Sequence, residues 1–74
     1  MNSHTYSLIT DAKLNIALFD IRGNLIKQLV NGFQPSGNYV LSLELPNAPS
    51  GVYILRSVLD KSILAKKLVY IREQ

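Results

Sequence analysis

The side chains of this sequence that could carry chemistry are few, and their spacing does not bring them together. General acid–base or nucleophilic catalysis needs a base held against the proton it moves. The sole histidine, His4, lies among the first residues, where chain ends fray. There is no cysteine, which removes thiolate nucleophiles and thiolate zinc sites, and a Ser-His-Asp set has no usable members. The carboxylates are Asp11, Asp20, Glu44, Asp60 and Glu73. Asp11, Asp20 and Asp60 fall at predicted turns, where Asp accepts local backbone N–H groups. Glu44 falls on the polar side of a predicted strand, and Glu73 in the tail. A glycosidase-type carboxylate pair needs a cleft, which a chain this short rarely forms. A lone calcium held by Asp20 and nearby carbonyls is the alternative to a backbone-bonded turn, and the turn is preferred. Gly23, Gly32, Gly37 and Gly51 match neither a dinucleotide fingerprint nor a phosphate loop. The expectation is no catalytic residue, no cofactor and no metal.

The 74 residues allow one domain, 1–74. A chain of this size buries only about 60–65% of its unfolded surface, so the core is thin, and without cysteine no disulfide supplements it. At 47% hydrophobic the chain is too apolar for a disordered tail. Its longest apolar run, Gly51 to Leu55, is five residues, against ~20 to span a bilayer. The net charge of +3 is spread over Lys13, Arg22, Lys27, Arg56, Lys61, Lys66, Lys67 and Arg72. That scatter reads as ordinary solubility rather than an anionic partner, so neither nucleic acid nor membrane insertion is expected. Residues 1 to 10 have no basic n-region and no apolar core, so they are no signal peptide. Met1 to His4 reads as either a native start or residues left by cloning, and is expected to fray.

The elements that would position any site are short β-prone runs between turn signals. Thr5–Ile9 is the first. Lys13–Asp20 alternates Leu14, Ile16 and Leu18 against polar or small residues, the period of a half-buried strand. Asp20 to Asn24 is a hairpin signal, with Gly23 and Asn24 able to take positive φ. In Asn24–Asn31, Leu25, Ile26, Leu29 and Val30 also fit a helical stripe. Eight residues between two glycines are too few for a stable helix, so the segment is read as a strand with a bulge. Gly32–Gly37 is a loop, with Phe33 as a plug over the sandwich end or a partner contact. Asn38–Leu45 alternates again. Val52–Leu59 is apolar on both faces, as for a strand covered on both sides. Asp60-Lys61 turns into a last strand, Ser62–Ile71. Six strands at 8–12-residue spacing predict an all-β fold, an antiparallel Ig-like sandwich of six to seven strands.

Several motifs then fall in a familiar order. Leu14-x-Ile16-x-Leu18-Phe19-Asp20-x-x-Gly23-x-x-Ile26-x-x-Leu29 resembles the "V-x-I-x-I-Y-D-x-x-G-x-x-V-x-x-L" run of small bacterial Ig-like modules. Pro35-Ser36-Gly37-x-Tyr39 follows, then Pro49-Ser50-Gly51-Val52-Tyr53-Ile54, similar to "L-P-S-G-V-Y". Lys67-Leu68-Val69-Tyr70-Ile71-Arg72 closes the pattern. Together they resemble the C-terminal sorting domain of type IX secretion cargo in Bacteroidetes-type bacteria. The Ig-like module of flagellar hook-capping proteins is a close sister. Its longer "W-D-G-x-D" insertion has no counterpart between Leu45 and Gly51, and the chain stops three residues after the last strand; both favour the sorting domain.

The resemblance implies a non-catalytic secretion and surface-attachment signal on a larger exported protein, secreted or held at the cell surface. Its partners would be the secretion machinery and a sortase-like peptidase. Recognition is expected through the last strand, with Lys66, Lys67 and Arg72, and through the Gly51-Val52-Tyr53 corner. Asp20, Gly23, Gly37 and Tyr39 are expected to shape the fold. The family's opening "Y-P-N-P" stretch is missing, so a sheet edge should lie uncovered. That sets up the rival reading, a structural or adhesive module that self-assembles by strand addition into a dimer or filament. A third class, carbohydrate binding, would group Tyr or Phe on one exposed face.

Overall fold

A computed structural model describes residues 2–45 and 47–71, and every structural statement below concerns these residues. Six strands follow in order: β1 (Asn2–Leu8), β2 (Ala12–Asp20), β3 (Leu25–Gln34), β4 (Gly37–Leu43), β5 (Gly51–Leu59) and β6 (Ser62–Tyr70). All pairings are antiparallel. They build a two-stranded sheet, β1-β4, and a four-stranded sheet, β3-β2-β5-β6. This is the six-stranded all-β sandwich that the alternation predicts. The hairpins β2-β3 and β5-β6 lie in the large sheet, and the chain crosses between sheets after β1, β3 and β4.

Period-two burial explains the packing. Leu14, Ile16 and Leu18 of β2, Tyr53 and Leu55 of β5, and Leu68 and Tyr70 of β6 are buried in one cluster with Leu8, Leu41, Leu43 and Leu45. Each is an alternate residue, so one face of each sheet supplies the core. On the opposite face Ala17 is also buried, between its cross-strand partners Gln28 and Arg56. The Arg56 guanidinium stands 4.6 Å from the centroid of the Phe19 ring, a contact worth about 0.5–1 kcal/mol at an exposed site.

β3 is a strand, and its helix-like spacing comes from bulges. Partners of β2 step from Val30 to Gln28 and from Lys27 to Leu25, skipping Leu29 and Ile26. Each skipped residue is one extra residue on the bulged strand. The Gln28 side-chain amide lies 3.3 Å from the Ile16 carbonyl and 2.9 Å from that of Val30, beside the first interruption.

Two expectations change. Gly32, Phe33 and Gln34 belong to β3, and Phe33 is exposed opposite Lys13 rather than plugging an end. β5 is central in its sheet, but only its inner face is covered: Val52 is exposed, and Ile54 and Val58 are half-buried. No described element lies on the outer face of the large sheet, so apolar character on that face reflects exposure rather than a second layer.

The hairpin after β2 shows why Asp20 and Gly23 stand where they do. Asp20 Oδ1 accepts the backbone N–H groups of Arg22 and Asn24, both at 2.9 Å, and Oδ2 accepts the Asn24 side-chain amide at 3.1 Å. The Gly23 N–H closes the turn onto the Asp20 carbonyl at 3.1 Å. These donors, the Asn24 N–H foremost, hold the Asp20 carboxyl below its ordinary value of 3.8 against a smaller opposing effect of desolvation. A carboxyl that titrates lower in the native state stabilises it fully above the unfolded value near pH 4, and stops doing so as pH falls through the native value. Wild type is therefore expected to melt above Asp20→Asn by a gap that is constant from about pH 7 to 5 and closes in acid below about pH 4. Thermal scans of both proteins across that range check it; a gap that widens in acid would refute it.

Candidate recognition surface

Two of the three crossings end in the same five-residue pattern. Pro35-Ser36-Gly37-Asn38-Tyr39 opens β4, and Pro49-Ser50-Gly51-Val52-Tyr53 opens β5. In each, the tyrosine hydroxyl donates to the proline carbonyl four residues back: Tyr39 to Pro35 at 2.5 Å, Tyr53 to Pro49 at 2.6 Å. The glycine lets the chain turn into the strand. Gly37 and Gly51 have φ of +153° and +158°, a region that residues with a Cβ rarely enter. A Cβ on Gly51 would meet nothing within 4 Å, so the backbone angle rather than close packing calls for glycine there.

The corners differ in setting. The Tyr39 corner stands at the end where Leu8 pairs with Gly37. The Tyr39 ring, half-buried, stacks on Tyr6 with centroids 5.1 Å apart, and Tyr6 donates to Gln34 Oε1 at 2.7 Å. Partial burial raises the Tyr6 phenol above its ordinary value despite that bond. Asp11 Oδ1 accepts the Ser36 N–H at 2.7 Å, tying two crossings together. The Tyr53 corner stands at the other end, where Tyr53 pairs with Asp20. Tyr53 is buried, and the Tyr70 ring meets it edge-on at 6.1 Å. The Tyr70 hydroxyl donates to the Leu45 carbonyl at 3.0 Å. Side-chain hydrogen bonds thus pin every crossing between the sheets.

The predicted recognition residues come together in part. Antiparallel pairing sets Gly51, Val52 and Tyr53 opposite Tyr70, Val69 and Leu68, with Ile54 and Leu55 opposite Lys67 and Lys66. The corner and the last strand are therefore one hydrogen-bonded ribbon. Lys66 and Lys67 stand on opposite faces of it: Lys66 lines a groove on the inner side, and Lys67 shares the outer side with Val52 and Val69. Arg72 lies outside the described residues. Asp20 and Gly23 flank the ribbon's corner end, and Gly37 and Tyr39 lie at the far end.

Sequence reasoning missed the apolar side chains beside these lysines. Ile63, Val69 and Ile71 are each about two-thirds or more exposed on the outer row of the β6 segment (63–71%). Their signal was present: apolar residues on both faces of a terminal strand that has a neighbour on one side only. Among the described residues no three His, Asp or Glu side chains lie close enough to hold a metal. Asp20, the one residue considered for calcium, has both oxygens engaged by the hairpin.

A search of curated proteins and one of solved structures each returned no match. A family model, the secretion system C-terminal sorting domain, matches residues 2–72, from β1 to just past β6. That span contains both Pro-Ser-Gly-x-Tyr corners, the Asp20 hairpin and the whole β5-β6 ribbon. The chain belongs to the family of secretion system C-terminal sorting domains.

Proposed function

We propose that this sorting domain is read by type IX secretion machinery through its β5-β6 ribbon. The observation that carries the reading is the register that sets Gly51, Val52 and Tyr53 against Leu68–Tyr70. The two ends of the β5-β6 hairpin become one surface, stiffened by Tyr53 and Tyr70. Val52 and Val69 give it an apolar strip, and Lys67 a cation beside it. Apolar contacts supply burial and the cation supplies orientation. The domain performs no chemistry of its own. It directs a larger exported protein to the surface, where a sortase-like peptidase removes it, and the parent is secreted or attached there. Lys66 adds to the basic character of the terminal strand, and Arg72 follows that strand in sequence.

A periplasmic reporter fused to residues 1–74, expressed in a type IX-competent host, is expected to reach the cell surface. The double reversal Lys67→Glu/Val52→Asp replaces two exposed outer-face side chains and should leave folding intact. It is expected to cut surface delivery at least tenfold and raise the periplasmic pool. A wild-type fusion that stays in the periplasm ends the sorting reading for this domain. Normal delivery of the double variant, with wild type delivered, ends only the assignment to the β5-β6 ribbon.

A further inference from the structure

The outer face of the large sheet carries cations without counter-charges. Lys13, Arg56 and Lys67 stand on it, and no Asp or Glu occupies the paired outer rows of β2, β3, β5 and β6. Arg56 stands on a central strand of that sheet. Its guanidinium lies against the Phe19 ring, and no acceptor among the described residues takes its N–H donors. Its cross-strand neighbours are Ala17 and Ala65, too small to fill the space beside it. An open depression of about 290 Å³ lies there, lined by Phe19, Ile54, Arg56 and Ala65. Lys67 stands diagonally from Arg56 on the same face, a separation that long side chains bridge. Its ammonium likewise has no partner among the described residues. The one carboxylate on the rim, Asp20, is taken up by its hairpin, where both oxygens accept donors.

We infer that Arg56 and Lys67 form a carboxylate-binding site, which takes an acidic side chain flanked by aliphatic residues on a protein of the secretion machinery. The inference rests on the β5-β6 ribbon being the recognised surface, and it names the chemistry of the partner. Three observations carry it. A guanidinium held on an aromatic ring is already oriented, so its fork of donors meets both oxygens of a carboxylate at little further cost in side-chain entropy. Two cations with no carboxylate of this chain between them make an acidic group the complement. Around them Val52, Ile63 and Val69 lie exposed on the same face, and the acid's aliphatic neighbours would cover them. A sugar acid or a phosphate brings no such neighbours.

The same face argues against two nearer occupants. A second copy stacked face to face would set cations against cations, with no carboxylate on either side. Any residues ahead of β1 would enter by the small sheet, which covers the inner face, so the large sheet itself stands between them and this site.

The test titrates the 74-residue chain with acetyl-Ala-Leu-Glu-Leu-Ala-amide, whose one charge is the Glu side chain, and follows it by NMR. Saturable millimolar binding is expected, with the largest shifts at Arg56 Nε and the Phe19 ring. The Gln analogue of the probe should bind roughly three- to tenfold more weakly, as for two exposed ion pairs lost. Arg56→Gln/Lys67→Gln should bind both probes alike, with circular dichroism unchanged. Arg56→Lys keeps the charge and loses the fork, so its preference for the Glu probe should fall between. In the surface-delivery assay Arg56→Gln should lower delivery by at least about threefold. Equal binding of the Glu and Gln probes to wild type, or no saturation at tens of millimolar, would overturn the site. Glucuronate bound as tightly as the peptide would overturn the protein partner in favour of an acidic polysaccharide. Slower acetylation of Lys67 in the exported protein that carries this domain than in the 74-residue chain would overturn it in favour of that protein's own residues. Full delivery of Arg56→Gln, with Lys67→Glu/Val52→Asp undelivered, would overturn the carboxylate site and leave the ribbon reading standing. Normal delivery of both variants ends the ribbon reading and the machinery as partner with it.

Discussion

Leu18→Ala is expected to lower the thermal midpoint by roughly 15–30 °C. Leu18 is fully buried, on the inner row of β2, opposite Leu55 of β5. Cutting it to alanine removes the transfer free energy of the lost atoms and leaves a cavity, together about 3–4 kcal/mol at such a site. A domain of 74 residues has only about 4–11 kcal/mol in total. The variant should therefore populate unfolded chain near physiological temperature. Leu64→Ala is the control. It is the same chemical change in the same sheet, but Leu64 is 72% exposed, so its cost should fall within about 0.5 kcal/mol. Urea and thermal unfolding followed by circular dichroism measure both. Equal effects at the two positions would mean that the large sheet does not carry the core as described.

Tyr53→Phe is the second large effect, expected near 1–2 kcal/mol, or roughly 5–15 °C. Only one oxygen is removed. Its hydroxyl donates to the Pro49 carbonyl at 2.6 Å in a partly buried setting, and the substitution leaves that carbonyl without its partner. Tyr39→Phe deletes the same bond at the equivalent corner, but that bond is exposed, and water can replace the hydroxyl. Its cost should be a few tenths of a kcal/mol. The ordering Tyr53 over Tyr39 is the discriminating result. The reverse order in unfolding measurements would contradict the buried-corner account. Tyr53 also holds the ribbon proposed for recognition, so the Tyr53→Phe reporter should reach the surface less well as its domain melts.

Much of this was legible in the residues. Alternation of Leu14, Ile16 and Leu18, and of Tyr39, Leu41, Leu43 and Leu45, placed strands and inward faces, because side-chain direction in a strand is local geometry. Asp20 and Gly23 declared their hairpin for the same reason: the bonds they make reach at most four residues. The Pro-Ser-Gly-x-Tyr pattern was not read as a repeat, although the donor and acceptor of its bond lie only four residues apart.

Other features depended on contacts far apart in sequence. Asp11 was read as a local turn residue, yet it accepts the Ser36 N–H, 25 residues away. Phe33 was assigned to a loop, because Gly32 and Pro35 flank it and pairing with Lys13 is invisible locally. The two faces of β5 looked equally apolar, and only the stacking of a narrow sheet on a wide one decides which face is dry. Sequence by itself determined six antiparallel strands, their turns and the family to which they belong. Tertiary structure alone decided that the Gly51–Tyr53 corner and the last strand form one ribbon, and that only the inner face of that ribbon is covered. Strand periodicity is written in neighbouring residues, whereas sheet order and the overlap of two sheets are settled by pairings between distant segments.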